Sequence, residues 1–168
     1  MENIVGGVGH EPAYNLCPKA PGYFSWGFVR NPYDRALSTY SGFQQHEGMV
    51  QTSYIRRDES FPDFLQRLPS CMKNPEFNAT RPHFWHQTLF LCRSTGEVMV
   101  DFVGQFENLL SDWTYICQRI GIDVELEHLN RTEHEPWQEV YTPEMLAVIN
   151  EVYECDFKTF GYEMIGSI

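Results

Sequence analysis

The sequence predicts an α/β layered fold. Three observations predict it. A short apolar run bounded by turn signals, Ser25-Trp26-Gly27-Phe28-Val29-Arg30, runs straight into a helix start at Asn31-Pro32. Further strand and helix patterns follow it in the order of an α/β layer. At 168 residues and 42% hydrophobic, the chain holds one core and is too short for two comfortable ones. Residues 1–168 therefore read as a single domain.

Residues 1–24 are rich in Gly and Pro and read as irregular. The apolar run 25–30 suits a buried strand. Asn31 can cap the next helix, Pro32 fits its first position, and Asp34 favours its positive end. Tyr33, Ala36, Leu37, Tyr40 and Phe43 recur at helical spacing. Residues 44–59 are polar and read as a surface loop. Ser60 with Asp63 opens a short helix to Leu68. Pro69, Pro75 and Pro82 make residues 69–88 mostly loop. Strands are expected at residues 88–92 and 97–103, joined by a turn at Ser94-Thr95-Gly96. A helix over residues 107–120 carries Leu109, Leu110, Trp113, Ile116, Cys117 and Ile120 on one side, and Gly121 ends it. Thr142-Pro143 opens the last helix, running to about Phe157.

The net charge is -11, and it is unevenly placed. Residues 1–100 carry nine Lys/Arg and nine Asp/Glu; residues 101–168 carry three and fourteen. The acidic half repels polyanions, which argues against a nucleic-acid partner. An anionic ligand belongs on the N-terminal half, with Arg30, Arg35, Arg56 and Arg57. Five scattered cysteines form no CxxC pair, so reduced thiols are expected rather than a disulfide scaffold or zinc ribbon. His83 and His86 stand three apart, but no HExxH accompanies them, so no metal site is expected. No apolar run is long enough to span a membrane, and residues 1–10 do not resemble a signal peptide.

The sharpest feature is Phe28-Val29-Arg30-Asn31-Pro32-Tyr33-Asp34-Arg35-Ala36-Leu37-Ser38-Thr39-Tyr40. It puts an arginine at a strand's C-terminal end, where open α/β sheets bind ligands, and a hydroxyl two turns into the next helix. A guanidinium presents a fork of donors that matches a phosphate, and Ser38 can add a hydroxyl to the same group. The residues alone fit equally a strand-to-helix turn with Arg30 paired to a local carboxylate.

This run resembles the 3′-phosphate-binding motif of sulfotransferases that use 3′-phosphoadenosine-5′-phosphosulfate (PAPS). It is closest to the carbohydrate sulfotransferase branch, which includes chondroitin, HNK-1 type and heparan 2-O enzymes and bacterial relatives. Asp101-Phe102-Val103-Gly104-Gln105-Phe106-Glu107-Asn108-Leu109-Leu110-Ser111-Asp112, Leu129-Asn130-Arg131-Thr132, Tyr141-Thr142-Pro143-Glu144, then Tyr153, Asp156 and Phe160-Gly161-Tyr162 follow in family order. The likeness covers residues 25–163.

The resemblance implies a P-loop-like sulfotransferase fold, with a central parallel sheet flanked by helices, and sulfuryl transfer from PAPS to a hydroxyl of a carbohydrate or small-molecule acceptor, leaving PAP. Arg30 and Ser38 would hold the 3′-phosphate, and Arg131 would be a second phosphate contact. His10 would be the general base, a role that suits an imidazole titrating near neutrality; a hydrogen-bonded loop histidine fits it as well. His86 and Gln87 fall where relatives carry an acceptor-contact segment. The family's 5′-phosphosulfate loop should precede His10. Gly6-Gly7-Val8-Gly9 lacks its Lys and Ser/Thr, and Cys17-Pro18-Lys19-Ala20 sits too close to Arg30 for an intervening helix. The expectation is an N-terminal strand, loop and helix missing from a truncated or divergent member. The alternative is a non-catalytic remnant or PAP-binding module. A bacterial chain would be cytoplasmic, and a truncated eukaryotic one would belong to the Golgi lumen.

Overall fold

A computed structural model describes residues 12–13, 22–45, 56, 58–80, 82–126 and 132–166. The architecture is α/β, with a small parallel sheet and a majority of helix. Two compact units divide the chain: Met1–Arg30 with His86–Leu129, and Asn31–Trp85 with Asn130–Ile168.

The first unit carries the sheet. Strand β1, Trp26–Val29, pairs in parallel with β2, Phe102–Gln105, in the register Trp26 to Phe102 and Val29 to Gln105. Ser25 and Asp101 lock its start. Asp101 Oδ2 accepts from the Ser25 amide at 2.8 Å and from its hydroxyl at 2.6 Å, while the Asp101 amide donates to Ser25 O at 2.9 Å. These bonds favour the carboxylate and lower its pKa. Gly104 faces Phe28 in the ladder because the Phe28 ring lies across it; a Cβ there would stand 2.5 Å from the ring.

The strand expected over residues 88–92 is instead one helical turn, α4, Thr88–Leu91. Such a short apolar run does not declare its period, and packing decides. Leu91 fills the space left by the missing side chain of Gly27, where a Cβ would lie 2.4 Å from Leu91 Cδ2. The strand expected over residues 97–103 shifts to β2, and Val98 makes only an isolated bridge with Cys92. The turn at residues 94–96 is present, with Gly96 at φ +86°. A 3-10 turn, Phe106–Asn108, leads into helix α5, Leu109–Ile120, which Gly121 ends in the left-handed region at φ +73°. Ile116 and Cys117 are buried, but Leu110, expected on the apolar side, is 74% exposed.

The second unit is helical. Helix α1, Pro32–Gln45, starts as expected, with Asn31 Oδ1 accepting from the Tyr33 amide at 3.0 Å. Helix α2, Phe61–Met72, is capped by Ser60, whose hydroxyl accepts from the Asp63 amide. It continues through Pro69 because Leu68 and Cys71 are both buried, so tertiary packing overrides the proline. Residues 69–88, expected as loop, also hold α3, Pro75–Thr80, and a 3-10 turn, Pro82–Phe84. Three helices follow: α6, Trp137–Val140; α7, Pro143–Val152; and α8, Glu154–Phe160. The single last helix expected from residue 143 breaks at Tyr153, whose buried hydroxyl donates to Phe84 O at 2.8 Å. Burial raises the Tyr153 pKa far above the ordinary range.

One core fills this unit. Tyr33, Leu37, Tyr40 and Phe43 of α1 meet Phe64, Leu65 and Leu68 of α2, together with Phe77, Phe84, Ile149, Tyr153 and Phe157. Tyr33 stacks on Trp137 at 4.8 Å, and its hydroxyl bonds Asn150 and accepts from the Ile165 amide at 2.8 Å. Arg67 and Glu59 form a two-pronged ion pair with both bonds at 2.6 Å. The cysteines Cys71, Cys92 and Cys117 are buried, and Cys155 is exposed. Among the described residues, no helix is long and apolar enough to cross a membrane.

Candidate functional site

Arg30 is the first residue beyond β1. Extended backbone points a residue's N–H and C=O toward the same edge of a sheet. In Arg30 one side chain takes both. The Arg30 amide donates to Gln87 Oε1 at 2.8 Å, and Gln87 Nε2 donates to Arg30 O at 2.9 Å. The carboxamide thus replaces one residue of a neighbouring strand.

Gln87 reaches this place from the N-terminal end of α4 and is itself only 6% exposed. Its carbonyl accepts from the Phe90 and Leu91 amides at 3.0 and 3.2 Å, which holds its backbone in the turn. The helical turn therefore lies along β1, with Leu91 over Gly27 and Gln87 against Arg30. A buried amide needs partners for both its ends, and here the Arg30 backbone supplies one for each.

The Arg30 guanidinium has its own support. Its Cζ stands 4.4 Å from the centroid of the Phe106 ring, which follows β2 directly. Stacking on an aromatic face fixes the plane of a guanidinium while leaving its edge donors directed outward. At the end of β2, the Gln105 amide donates to Asp112 Oδ2 at 2.7 Å, tying the strand to α5. Asp112 thus has a structural use at a helix start, as its position suggests.

The other site residues fall as follows. Ser38 lies half-buried on α1 in the second unit. His86 precedes Gln87, and its carbonyl accepts from the Leu89 amide at 3.1 Å. His10, Arg131, Gly6-Gly7-Val8-Gly9 and Cys17-Pro18-Lys19-Ala20 lie outside the described residues. Thr132 and Glu133 follow Arg131 and run beside α1: Gln45 Nε2 donates to Glu133 O at 2.7 Å, and Thr132 packs over Gly42. Within the first unit, the structure brings together Arg30, Gln87 and Phe106. Sequence reasoning picked the first two. It missed Phe106, whose signal was an aromatic residue directly after the second strand.

Known relatives of the chain are carbohydrate sulfotransferases by name. Carbohydrate sulfotransferase 14 of Danio rerio is 27% identical over 172 residues, covering 84% of this chain and 44% of the relative. Carbohydrate sulfotransferase 11 of Mus musculus is 26% identical over 175 residues, covering 84% of this chain and 47% of the relative. Carbohydrate sulfotransferase 14 of Homo sapiens is 25% identical over 170 residues, with 84% and 43% covered. The chain thus spans less than half the length of these relatives. No solved structure matches it. The family model described as Sulfotransferase family matches residues 16–163, a span that takes in β1, Arg30, α1, β2 and all the later helices, so the chain belongs to the sulfotransferase family.

Proposed function

We propose that this chain carries a nucleotide site for sulfuryl transfer from PAPS to a carbohydrate hydroxyl. The observation that carries the reading is Arg30. It stands at the carboxyl end of a parallel strand, with its backbone held by Gln87 and its guanidinium over Phe106. An arginine so placed offers edge donors to a phosphate without first having to be ordered. Arg30 and Ser38 hold the 3′-phosphate in this reading, and Arg131 adds a second contact. The carbohydrate acceptor is drawn from the names of the relatives.

In the reaction, the acceptor oxygen attacks sulfur, and the bond from sulfur to the 5′-phosphate oxygen breaks. The sulfuryl group moves to the acceptor and PAP leaves. The acceptor proton passes to a base, the role assigned to His10, and His86 is the acceptor-side contact. The cofactor carries the activated group, so the protein's work is binding and orientation.

Calorimetric titration with PAP, beside Arg30→Ala, tests the reading. Wild-type binding is expected, with a loss of roughly 10- to 100-fold in the variant, the scale of a charge-assisted contact. A folded wild-type chain that binds no PAP refutes it. Binding of PAP without any sulfated product from PAPS and an unsulfated oligosaccharide would make the chain a nucleotide-binding module instead.

A further inference from the structure

We propose that Gln87 is a positioning residue for Arg30, acting through the backbone from which the phosphate-binding guanidinium projects. The inference rests on the reading of Arg30 as a nucleotide anchor and gives Gln87 a role distinct from acceptor contact.

Both ends of the Gln87 carboxamide meet the same residue, one accepting and one donating. Arg30 lies just past the last residue of the β1–β2 ladder, which ends at Val29 and Gln105. Strand pairing therefore stops one residue short of the anchor, and Gln87 extends the hydrogen bonding by that one residue. The supporting turn is rigid for a reason of shape. Leu91 sits in the hollow above Gly27, three residues before Arg30, so the turn is fixed against β1 at two points. Phe106 then sets the plane of the side chain that Gln87 aims. An arginine held at its backbone and at its guanidinium loses little freedom when an anion arrives, which is how preorganisation raises affinity.

The chemistry demands an amide. A carboxylate at this position keeps the acceptor for the Arg30 amide but sets a second oxygen against Arg30 O. Leucine keeps much of the bulk and removes both bonds.

The test titrates the full chain with PAP as wild type, Gln87→Leu, Gln87→Glu, Arg30→Ala and the Arg30→Ala/Gln87→Leu double variant. Thermal unfolding checks that each is folded, and hydrogen exchange is followed at the Arg30 amide. Gln87→Leu is expected to weaken PAP about 5- to 10-fold, the scale of one or two net hydrogen bonds. It should speed exchange at Arg30 and cause no further loss in the Arg30→Ala background. A loss of the same size in both backgrounds, or unchanged affinity in folded Gln87→Leu, overturns the proposal. Should Gln87→Leu not fold, Gln87→Glu carries the same comparison. Should the wild-type chain bind no PAP, the nucleotide reading fails, and exchange at Arg30 decides the positioning alone: faster exchange in the variant supports it, and unchanged exchange overturns it.

Discussion

Each of the two units is stabilised internally by different means. Among the described residues, the second buries sixteen apolar side chains in one cluster, nine of them Phe or Tyr. In the first, the described buried apolar residues are Ala13, Val29, Leu91, Cys92, Ile116 and Cys117. Among the described residues, the exposed large apolar ones show the reverse: Tyr23, Leu89, Val98, Phe106, Leu110, Tyr115, Val124 and Leu126 belong to the first unit, and only Ile165 to the second. The helical unit is secured by removing area from water. The sheet unit is secured at points, by Ser25 with Asp101, Gln87 with Arg30, and Asp112 with Gln105. A site that must present a charged group to solvent gains from such local clamps, because they order a backbone without enclosing it.

Substitutions can break this contrast. Phe64 is fully buried between Tyr40 and Phe84. Phe64→Ala should destabilise the chain by about 3–5 kcal/mol in chemical denaturation, a large share of a typical domain's stability. Gly27→Ala attacks the sheet unit where it is tightest. Its methyl group meets the end of a flexible side chain, so a smaller cost of about 1–3 kcal/mol is expected. A Gly27→Ala/Leu91→Ala pair should cost less than the sum of the singles, which a double-mutant cycle reads directly.

The smallest effect is one of pH. Hydrogen bonds from Ser25 lower the Asp101 pKa below its unfolded value of about 3.9. The carboxylate's contribution is therefore present above that value and is lost as pH falls through the lowered one. The stability gap between wild type and Asp101→Asn should be constant near neutrality and close on acidification. A gap that widens in acid would reverse the assignment.

The sequence was most legible where signals are local. Asn31, Pro32 and Asp34 declare the start of α1, and Ser60 with Asp63 declares that of α2. The Arg30 strand end was readable for the same reason. What escaped depended on distant partners. Residues 88–92 look like a strand until Gly27 is seen to need Leu91. Pro69 looks like a stop until the burial of Leu68 and Cys71 is known. Only the resemblance singles out Gln87, and its partner lies 57 positions away, beyond any spacing rule.

The bond between the Ile165 amide and the Tyr33 hydroxyl spans 132 positions, and it bears on when the protein can fold. Neither unit is a continuous stretch of chain. During synthesis, residues 31–85 emerge with their aromatic face uncovered, and the helices that complete that core arrive only with residues 143–160. Closing such long loops has an entropic cost that precedes any stabilising contact. Folding of the helical unit therefore waits for nearly the whole chain, and a nascent chain stalled before α7 would show apolar surface to chaperones.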